Sequence, residues 1–600
     1  MQKPIFKENI SKDLIYALPG YIYFMYLLFP FRFWEKFVFS NQIETIVVTV
    51  FFSFTMLLFS MLKAYGTKIF KLTKADFISG IYCVFMLSRL RYPLEKEYLF
   101  LIFSAACIYL YFRNFPVKFL TGLLFLIPIS CIVQIIDGIK KFTMPWQNIS
   151  HITGIFNNTG LFGGFAALGL LVCIGMILFP CSENRYFKYI NCSVSIVFAA
   201  ALTVQIYASG SRASWIAAFA AILFLLYKKC HPALDAEYPA NKCHCGLDPQ
   251  SPSIRKIFFK NRWLSYLSVF CAIVLFAFSA KYLYDLKKDS ADGRLIIGRI
   301  SLEMVKKAPA FGNGISGFRA EYLNYQADYF KKNSDSPYSI YADDVDAPFN
   351  EFLKILVEQG IVGLLLFFCI SYYILVIPST MRNFQQTNVI AGLTRNPLKS
   401  IIIFILFFGI FSYPFDKLPF LALFVFSIAI LSQKQSHVFE LILWGFRIKR
   451  GMTFVSRGFR IICGMIFVAL CFVAGKITLC AYDYSKSCRT WNKSLVQFSY
   501  DREESLLQLK KLYPEMENNP VFLTTYGKAL GYGERYREAT VILEKAVKRL
   551  PQSYSYIELG KSYEASEFPE KAFECWKYAS FMVPSRFTPI YLSMKLHFKN

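Results

Sequence analysis

The sequence predicts an all-α fold: a polytopic membrane domain of about 12–13 transmembrane helices with one large external loop, followed by a C-terminal helical-repeat domain. Three observations predict it. Of 600 residues, 55% are hydrophobic, 18% aromatic and only 18% charged, a balance too apolar for a soluble globule. Apolar runs long enough to cross about 30 Å of hydrocarbon recur as far as residue 481. Beyond residue 497 those runs stop, and apolar residues take a helical period with Lys and Glu between them.

In chain order the spans fall near 14–31, 43–62, 77–90, 98–112, 117–136, 159–180, 188–208, 213–227, 263–284, 360–378, 400–416, 418–432 and 461–481. The runs 77–90 and 418–432 are short, which leaves the count between twelve and thirteen. The first run lacks a small-residue cleavage site and many others follow it, so it reads as an anchor rather than a signal peptide. Lys and Arg then set the orientation. With Lys3, Lys7 and Lys12 in the cytoplasm, the basic segments 63–74, 228–262 and 434–460 fall on the same side. The loop 285–350 and everything after 482 are then external. The membrane domain is 1–482 and the soluble domain 483–600. The net charge of +26 follows from this topology. With no separate basic domain or aromatic–basic platform, it does not indicate a nucleic-acid partner.

The tail repeats itself. Gly527, Ala539 and Pro551 recur as Gly560, Ala572 and Pro584, each 33 residues on, and Tyr536 recurs as Phe568. The stretch Tyr526-Gly527-Lys528-Ala529-Leu530 matches Leu559-Gly560-Lys561-Ser562-Tyr563. This resembles the tetratricopeptide repeat, in which small residues let paired helices approach and a proline ends the second helix. A helix over 501–513 and another over 587–597 flank the two repeats. A generic helical bundle is the plainer reading. Either way the tail reads as a docking surface for a protein partner, without catalytic residues of its own.

Two segments look like intrusions. The string CATTGCGGGCTTGACCCGCAATCCC encodes His244–Ser251 in one frame and Ile390–Pro397 one base later. Both stretches are therefore read as copies of one inserted repeat, each in a cytoplasmic loop that tolerates insertion. This bears on chemistry, because Cys243, His244 and Cys245, near Cys230 and His231, otherwise suggest a metal site. Their spacing is not a CxxC pair, and the insertion accounts for the cluster, so no metal or cofactor is expected. Most other cysteines lie inside spans, where a thiol behaves as a small hydrophobe. Cys488 and Cys575 face the external side but lie in different elements, so they are not expected to pair. There is no HExxH, GxSxG or P-loop. Gly312-Asn313-Gly314 with Gly317 looks like a phosphate loop but lacks the strand-to-helix setting.

The distinctive chemistry gathers at the external face. Ser209-Gly210-Ser211-Arg212 puts an arginine at the mouth of a span. The loop carries Gly293-Arg294, then Pro309-Ala310-Phe311-Gly312-Asn313-Gly314, and ends in Phe349-Asn350-Glu351 with Glu358-x-Gly360-Ile361-x-Gly363-Leu364. A guanidinium forks onto phosphate oxygens in two parallel bonds, so arginines here suit a diphosphate; anchoring at lipid headgroups is the plainer reading. These stretches, with Gly154-Ile155-Phe156-Asn157-Asn158, resemble in type and order the O-antigen ligase and polymerase family of bacterial envelope glycan enzymes. The resemblance covers about residues 90–430, and a helical-repeat tail is a known appendage in that family.

The resemblance implies a metal-independent glycosyltransferase of the bacterial inner membrane. It would move a polyprenyl-diphosphate-linked glycan to a lipid or protein acceptor on the outer side. On that footing Arg212 and Arg294 are the expected diphosphate clamp, with Arg299 and Arg319 in reserve. Asp346 or Glu351 would accept the acceptor's proton, and Asn350 would position the acceptor or cap the helix that starts there. Many members carry a histidine before the asparagine aligned with Asn350; here that residue is Phe349. The acidic stretch Asp343, Asp344, Asp346 and Glu351 supplies substitutes, and an uncatalytic, solvated acidic loop is the alternative. Transfer of a finished glycan, polymerisation of repeat units and protein O-glycosylation share the same donor and stay open. A transporter with a docking tail fits less well, because its charged residues would lie mid-span.

Overall fold

A computed structural model describes residues 5–29, 41–67, 69–90, 95–142, 153–156, 158–179, 185–230, 288–376, 388–433, 437–442 and 453–597. Helices account for nearly all of it. The membrane half contains α1 (Ile5–Leu28), α2 (Asn41–Thr67), α3 (Lys74–Ser88), α4 (Glu95–Phe112), α5 (Leu120–Phe142), α6 (Thr159–Leu178), α7 (Arg185–Ala208) and α8 (Arg212–Cys230). After these come α9 (Lys288–Lys307), α10 (Gly317–Lys332), α11 (Glu351–Val376), α12 (Asn388–Gly409), α13 (Leu418–Ser432) and α14 (Thr453–Gln497). The one sheet among the described residues is an antiparallel ladder of β1 (Ile69–Thr73) and β2 (His437–Ile442), with Ile69 opposite Ile442.

The all-α, polytopic expectation holds. Five helical stretches among the described residues are long and apolar enough to cross a membrane: Glu44–Lys63, Thr159–Leu178, Tyr186–Ser209, Glu351–Val376 and Val468–Gln497. Leu120–Ile135, Asn396–Gly409 and Leu418–Ser432 are apolar but shorter. The expected span 263–284 and the cysteine–histidine stretch 230–245 lie largely outside the described residues.

The large loop 285–350 has helical structure of its own: α9 and α10 fold over an apolar cluster of Ile296, Ile300, Met304, Phe318, Tyr322 and Phe330. Periodicity at 3.6 residues without a long apolar run is the mark of a small soluble unit, and it is legible in α9. Two expectations need correction. The span expected at 400–416 ends early, at Gly409, and Pro414–Asp416 form a separate 3-10 turn. The second repeat-like stretch is no loop, because 388–398 begin α12. Pro397 packs so closely on α6 that a Cβ at Gly175 would lie 2.8 Å from its Cγ.

Apolar faces assemble the bundle. α6 is apolar on all sides and buried along most of its length, so it forms the centre, against α5, α7, α8 and α12. Phe24, Phe112 and Phe426 meet edge-on, with centroids 4.8–5.5 Å apart, and join α1, α4 and α13. Polar contacts then define two ends. At one end lies the β-ladder, and Asp76, in the first turn of α3, accepts from Tyr109 Oη at 2.5 Å and Arg113 Nε at 3.1 Å. At the other end Arg489 Nε donates to Glu44 at 3.2 Å, Tyr484 Oη donates to Glu97 at 3.1 Å, and Arg89 Nη2 donates to Gly312 O at 2.7 Å. The unit of α9 and α10 sits on this second end.

α14 runs unbroken for 45 residues. At 1.5 Å per residue that is about 68 Å, twice the hydrocarbon thickness, so it leaves the bundle as a continuous rod. The C-terminal helices α15 (Arg502–Met516), α16 (Pro520–Tyr532), α17 (Tyr536–Arg549), α18 (Ser553–Ala565), α19 (Pro569–Met582) and α20 (Phe587–His597) follow it. Trp491 of α14 meets Phe522 edge-on at 5.6 Å, which roots the tail on the rod. The hairpins α16–α17 and α18–α19 repeat one another's contacts. A Cβ at Gly527 would lie 2.5 Å from Leu543 Cγ, and one at Gly560 would lie 2.2 Å from Trp576 Nε1. Glu534 and Glu567 both turn with positive φ.

Candidate functional site

The site forms where the ends of six elements converge. α6 starts under an Asn158 cap, whose Oδ1 accepts from Leu161 N at 3.0 Å. The turn between α7 and α8 lies against it. Ser211 Oγ donates to Gly160 O at 3.3 Å and stands 2.6 Å from Ser214 Oγ. A Cβ on Gly163 would come 2.2 Å from Ser209 Oγ, so glycine is what lets the turn sit there. Gly210 takes φ 61° and reverses the chain. Arg212 thus becomes the first residue of α8, at the positive end of that helix.

Arg294 arrives from α9 into the same space. Its Nη1 donates to Phe411 O at 3.2 Å, and its guanidinium lies 5.3 Å from the Phe349 ring centroid. Burial, and then the positive charge of Arg212 nearby, push Arg294 below the usual guanidinium value. The residue as a whole remains exposed to solvent. Two cations are thus neighbours here.

Tyr413, between α12 and α13, is the hub. Phe349 meets its ring edge-on at 5.4 Å, and Asn158 Nδ2 donates to its hydroxyl at 3.4 Å. Burial and the carboxylates of Asp416 and Asp346 raise its pKa, while Arg294 opposes them, so the phenol stays protonated. Asp346 is exposed and ion-paired to Arg319, with Nε to Oδ1 at 2.8 Å.

The start of α11 is a different environment. Asn350 caps it, Oδ1 accepting from Leu353 N at 2.9 Å. Glu351, Lys354 and Glu358 follow at helical spacing on one face, each under a tenth exposed. Glu351 accepts from Phe415 N at 3.3 Å, and Lys354 pairs with Asp416. The helix then kinks at Gly360, φ 66°. The glycine-rich segment fills this kink: Asn313 N donates to Val357 O at 2.8 Å, Gly314 N to Glu358 O at 2.9 Å, and Ile361 N to Pro309 O at 2.9 Å. Its amides are spent on backbone carbonyls, so it is a structural clasp and holds no phosphate.

The structure therefore brings together Arg212 and Arg294, and places Asp346 with Arg319 beside Tyr413. Glu351 sits buried behind them, and Asn350 serves as a cap. Arg299 turns away, its guanidinium 5.3 Å from the Tyr329 ring. Sequence reading missed Tyr413, Asp416 and Lys354. Tyr413 lies in a short inter-helical segment with no motif, and Asp416 with Lys354 signals itself only through burial. Among the described residues no group of His, Cys, Asp and Glu is arranged to hold a metal ion.

Comparison with known proteins bears on the same segment. No curated protein shows significant similarity to the chain. A sequence model of the O-antigen ligase family matches residues 196–368, from within α7 through the Arg212 turn, α9, α10 and most of α11. Most of the site thus lies within the matched segment, while α6, Tyr413 and Asp416 lie outside it.

Proposed function

We propose that the protein is a ligase-type glycosyltransferase of the bacterial inner membrane, taking a polyprenyl-diphosphate-linked glycan as donor on the outer face. The observation that carries the reading is the approach of Arg212 and Arg294 to one another within the segment that matches the O-antigen ligase model. Like charges held together by independent elements, one of them a helix N-terminus, suit a diphosphate that grows more negative as it leaves.

The chemistry follows from the donor. The acceptor hydroxyl attacks the anomeric carbon, the bond from that carbon to the diphosphate oxygen breaks, and the hydroxyl proton passes to a carboxylate. Asp346 is the better placed acceptor of that proton: it is exposed, beside Tyr413, and held by Arg319. Glu351, buried on the backbone N–H of Phe415, supports the first turn of α11. Phe349 fills the place of the histidine that many relatives carry and serves Arg294 as a platform. No metal is called for. In this reading the end of the bundle bearing α9 and α10 faces outward, the β-ladder faces the cytoplasm, and the hairpins α16–α17 and α18–α19 form a short tetratricopeptide-type stack outside. Membrane lipids surround the bundle, and the tail takes a protein partner.

The test is a deletion strain whose envelope glycans are separated by gel. A ligase mutant accumulates full-length lipid-linked glycan with none on the acceptor. Single-unit caps on the acceptor instead identify a polymerase, and a normal profile contradicts both.

A further inference from the structure

We propose that the C-terminal helical domain positions the acidic segment of the site, and that Arg586 is the positioning residue. The inference rests on the reading of Asp346 as the proton acceptor. Arg586 lies in the turn between α19 and α20. Its Nη1 donates to Asp344 Oδ2 at 2.6 Å and to Ser553 Oγ, and its Nη2 donates to Asp343 Oδ1 at 2.9 Å. Beside it Ser585 Oγ donates to Ala342 O at 3.1 Å. These tail contacts grip residues 342–344, and Asp346 follows two positions later.

A single exposed ion pair contributes little. This contact differs, because one guanidinium joins two neighbouring carboxylates and a hydroxyl, and it stands on an apolar seat. Met582 and Val583 are buried in one cluster with Leu323, Ala327 and Phe330 of α10. At its edge Gln326, itself buried, donates through Nε2 to Met582 O at 2.5 Å and to Asp343 O at 3.3 Å. Tyr578 Oη adds a bond to Asn324 Oδ1 at 2.9 Å. The seat holds α19 on α10, and Arg586 then fixes the acidic segment against that seat.

The division of charge makes the consequence specific. Asp343, Asp344 and Asp346 are three acids within four residues of irregular chain. Arg586 takes the first two and Arg319 takes the third. Without Arg586 the first two repel each other and their neighbour, and the segment loses its fixed course toward Tyr413. The donor-binding pair Arg212 and Arg294 makes none of these contacts, so the clamp reaches donor affinity only through Phe349, the ring under Arg294. The tail is then more than a passenger: a partner that shifts α19 and α20 shifts the proton acceptor.

The experiment uses the full-length chain in lipid nanodiscs, with undecaprenyl diphosphate as the binding probe and complementation of a deletion strain as the transfer assay. In Arg586→Ala, hydrogen exchange of the peptide 342–350 accelerates while that of α19 stays slow. Transfer falls by about tenfold or more, and affinity for the probe falls by no more than the roughly threefold to fivefold that loss of the Phe349 ring costs. Arg586→Lys keeps the charge and recovers part of the loss. Unchanged exchange at 342–350 in Arg586→Ala overturns the clamp. Accelerated exchange with wild-type transfer overturns its role in positioning. Failure of the wild-type chain to bind the probe overturns the donor reading instead, and leaves the exchange result to judge the clamp on its own.

Discussion

Phe349 shows how one residue can carry two opposed requirements. Its φ of 53° is a conformation that costs a non-glycine residue roughly 1–2 kcal/mol. The return is a ring under Arg294 and against Tyr413. Glycine would relax the backbone but remove the platform, so the two effects oppose. Alanine keeps the strain and loses the ring. Phe349→Ala is therefore expected to weaken binding of undecaprenyl diphosphate by about threefold to fivefold, the size of a half-exposed cation–π contact. Unaltered binding would mean that the ring does not orient Arg294. Lys354 is the opposite case. It is buried, paired to Asp416 and flanked by Glu351 and Glu358. Lys354→Met leaves two buried acids and the part-buried Asp416 without their cation, at a cost of about 3–5 kcal/mol. Thermal unfolding in detergent should register this as a large drop in midpoint; an unchanged midpoint would show that the cluster is hydrated in the native state.

At the scale of elements, the helices were legible and their ends were not. α13 falls where the apolar run 418–432 places it, because that run is continuous and its sequence begins and ends sharply. α11 begins nine residues before its apolar run does, since Asn350 caps a first turn whose Lys354 is paired by Asp416, far away in sequence. Pairings of that kind leave no local trace, which is also why Tyr413 was missed. The glycines of 309–314 were visible, but their purpose was not: a Cβ at Gly360 would lie 2.3 Å from Ala310 O, and one at Gly312 would lie 2.4 Å from Gln359 N. Both clashes are with backbone, which cannot turn aside. Gly360→Ala is accordingly expected to destabilise the protein by about 2–4 kcal/mol, seen as lower thermal stability and faster exchange at 309–317. In the tail, Gly560→Ala drives a methyl into Trp576, whose Nε1 is already bonded to Ile557 O at 3.1 Å. The expected cost is about 1–3 kcal/mol, confined to exchange in α18 and α19. Equal loosening of α16 and α17 would contradict the independence of the two hairpins.

At the scale of the whole molecule, orientation organises everything else. The excess of Lys and Arg over Asp and Glu gathers in sequence segments that alternate with the spans, and the arginine pair lies at the opposite end of the bundle. Membrane-impermeant thiol reagents applied to intact spheroplasts are expected to label cysteines introduced at Ser334 and Gln552, and to spare one at Ser251. Labelling at position 251 would invert the topology. In the proposed topology the rod α14 carries the tail out of the membrane, while the seat of Met582 and Val583 brings it back onto α10. The molecule is closed into a ring of contacts: bundle, rod, tail, acidic segment, bundle. The claim at its centre is that the two arginines hold a diphosphate rather than a headgroup. A headgroup anchor needs only positive charge on a long stem, whereas a diphosphate clamp needs the planar fork. The direct measurement is glycan transfer by Arg212→Lys and Arg294→Lys in the deletion strain, at matched protein levels. Loss of one charge-assisted bond to phosphate costs roughly 1.5–3 kcal/mol, so each variant should transfer about tenfold to a hundredfold more slowly. Wild-type transfer by both lysine variants would contradict the clamp, and with it the account of this site.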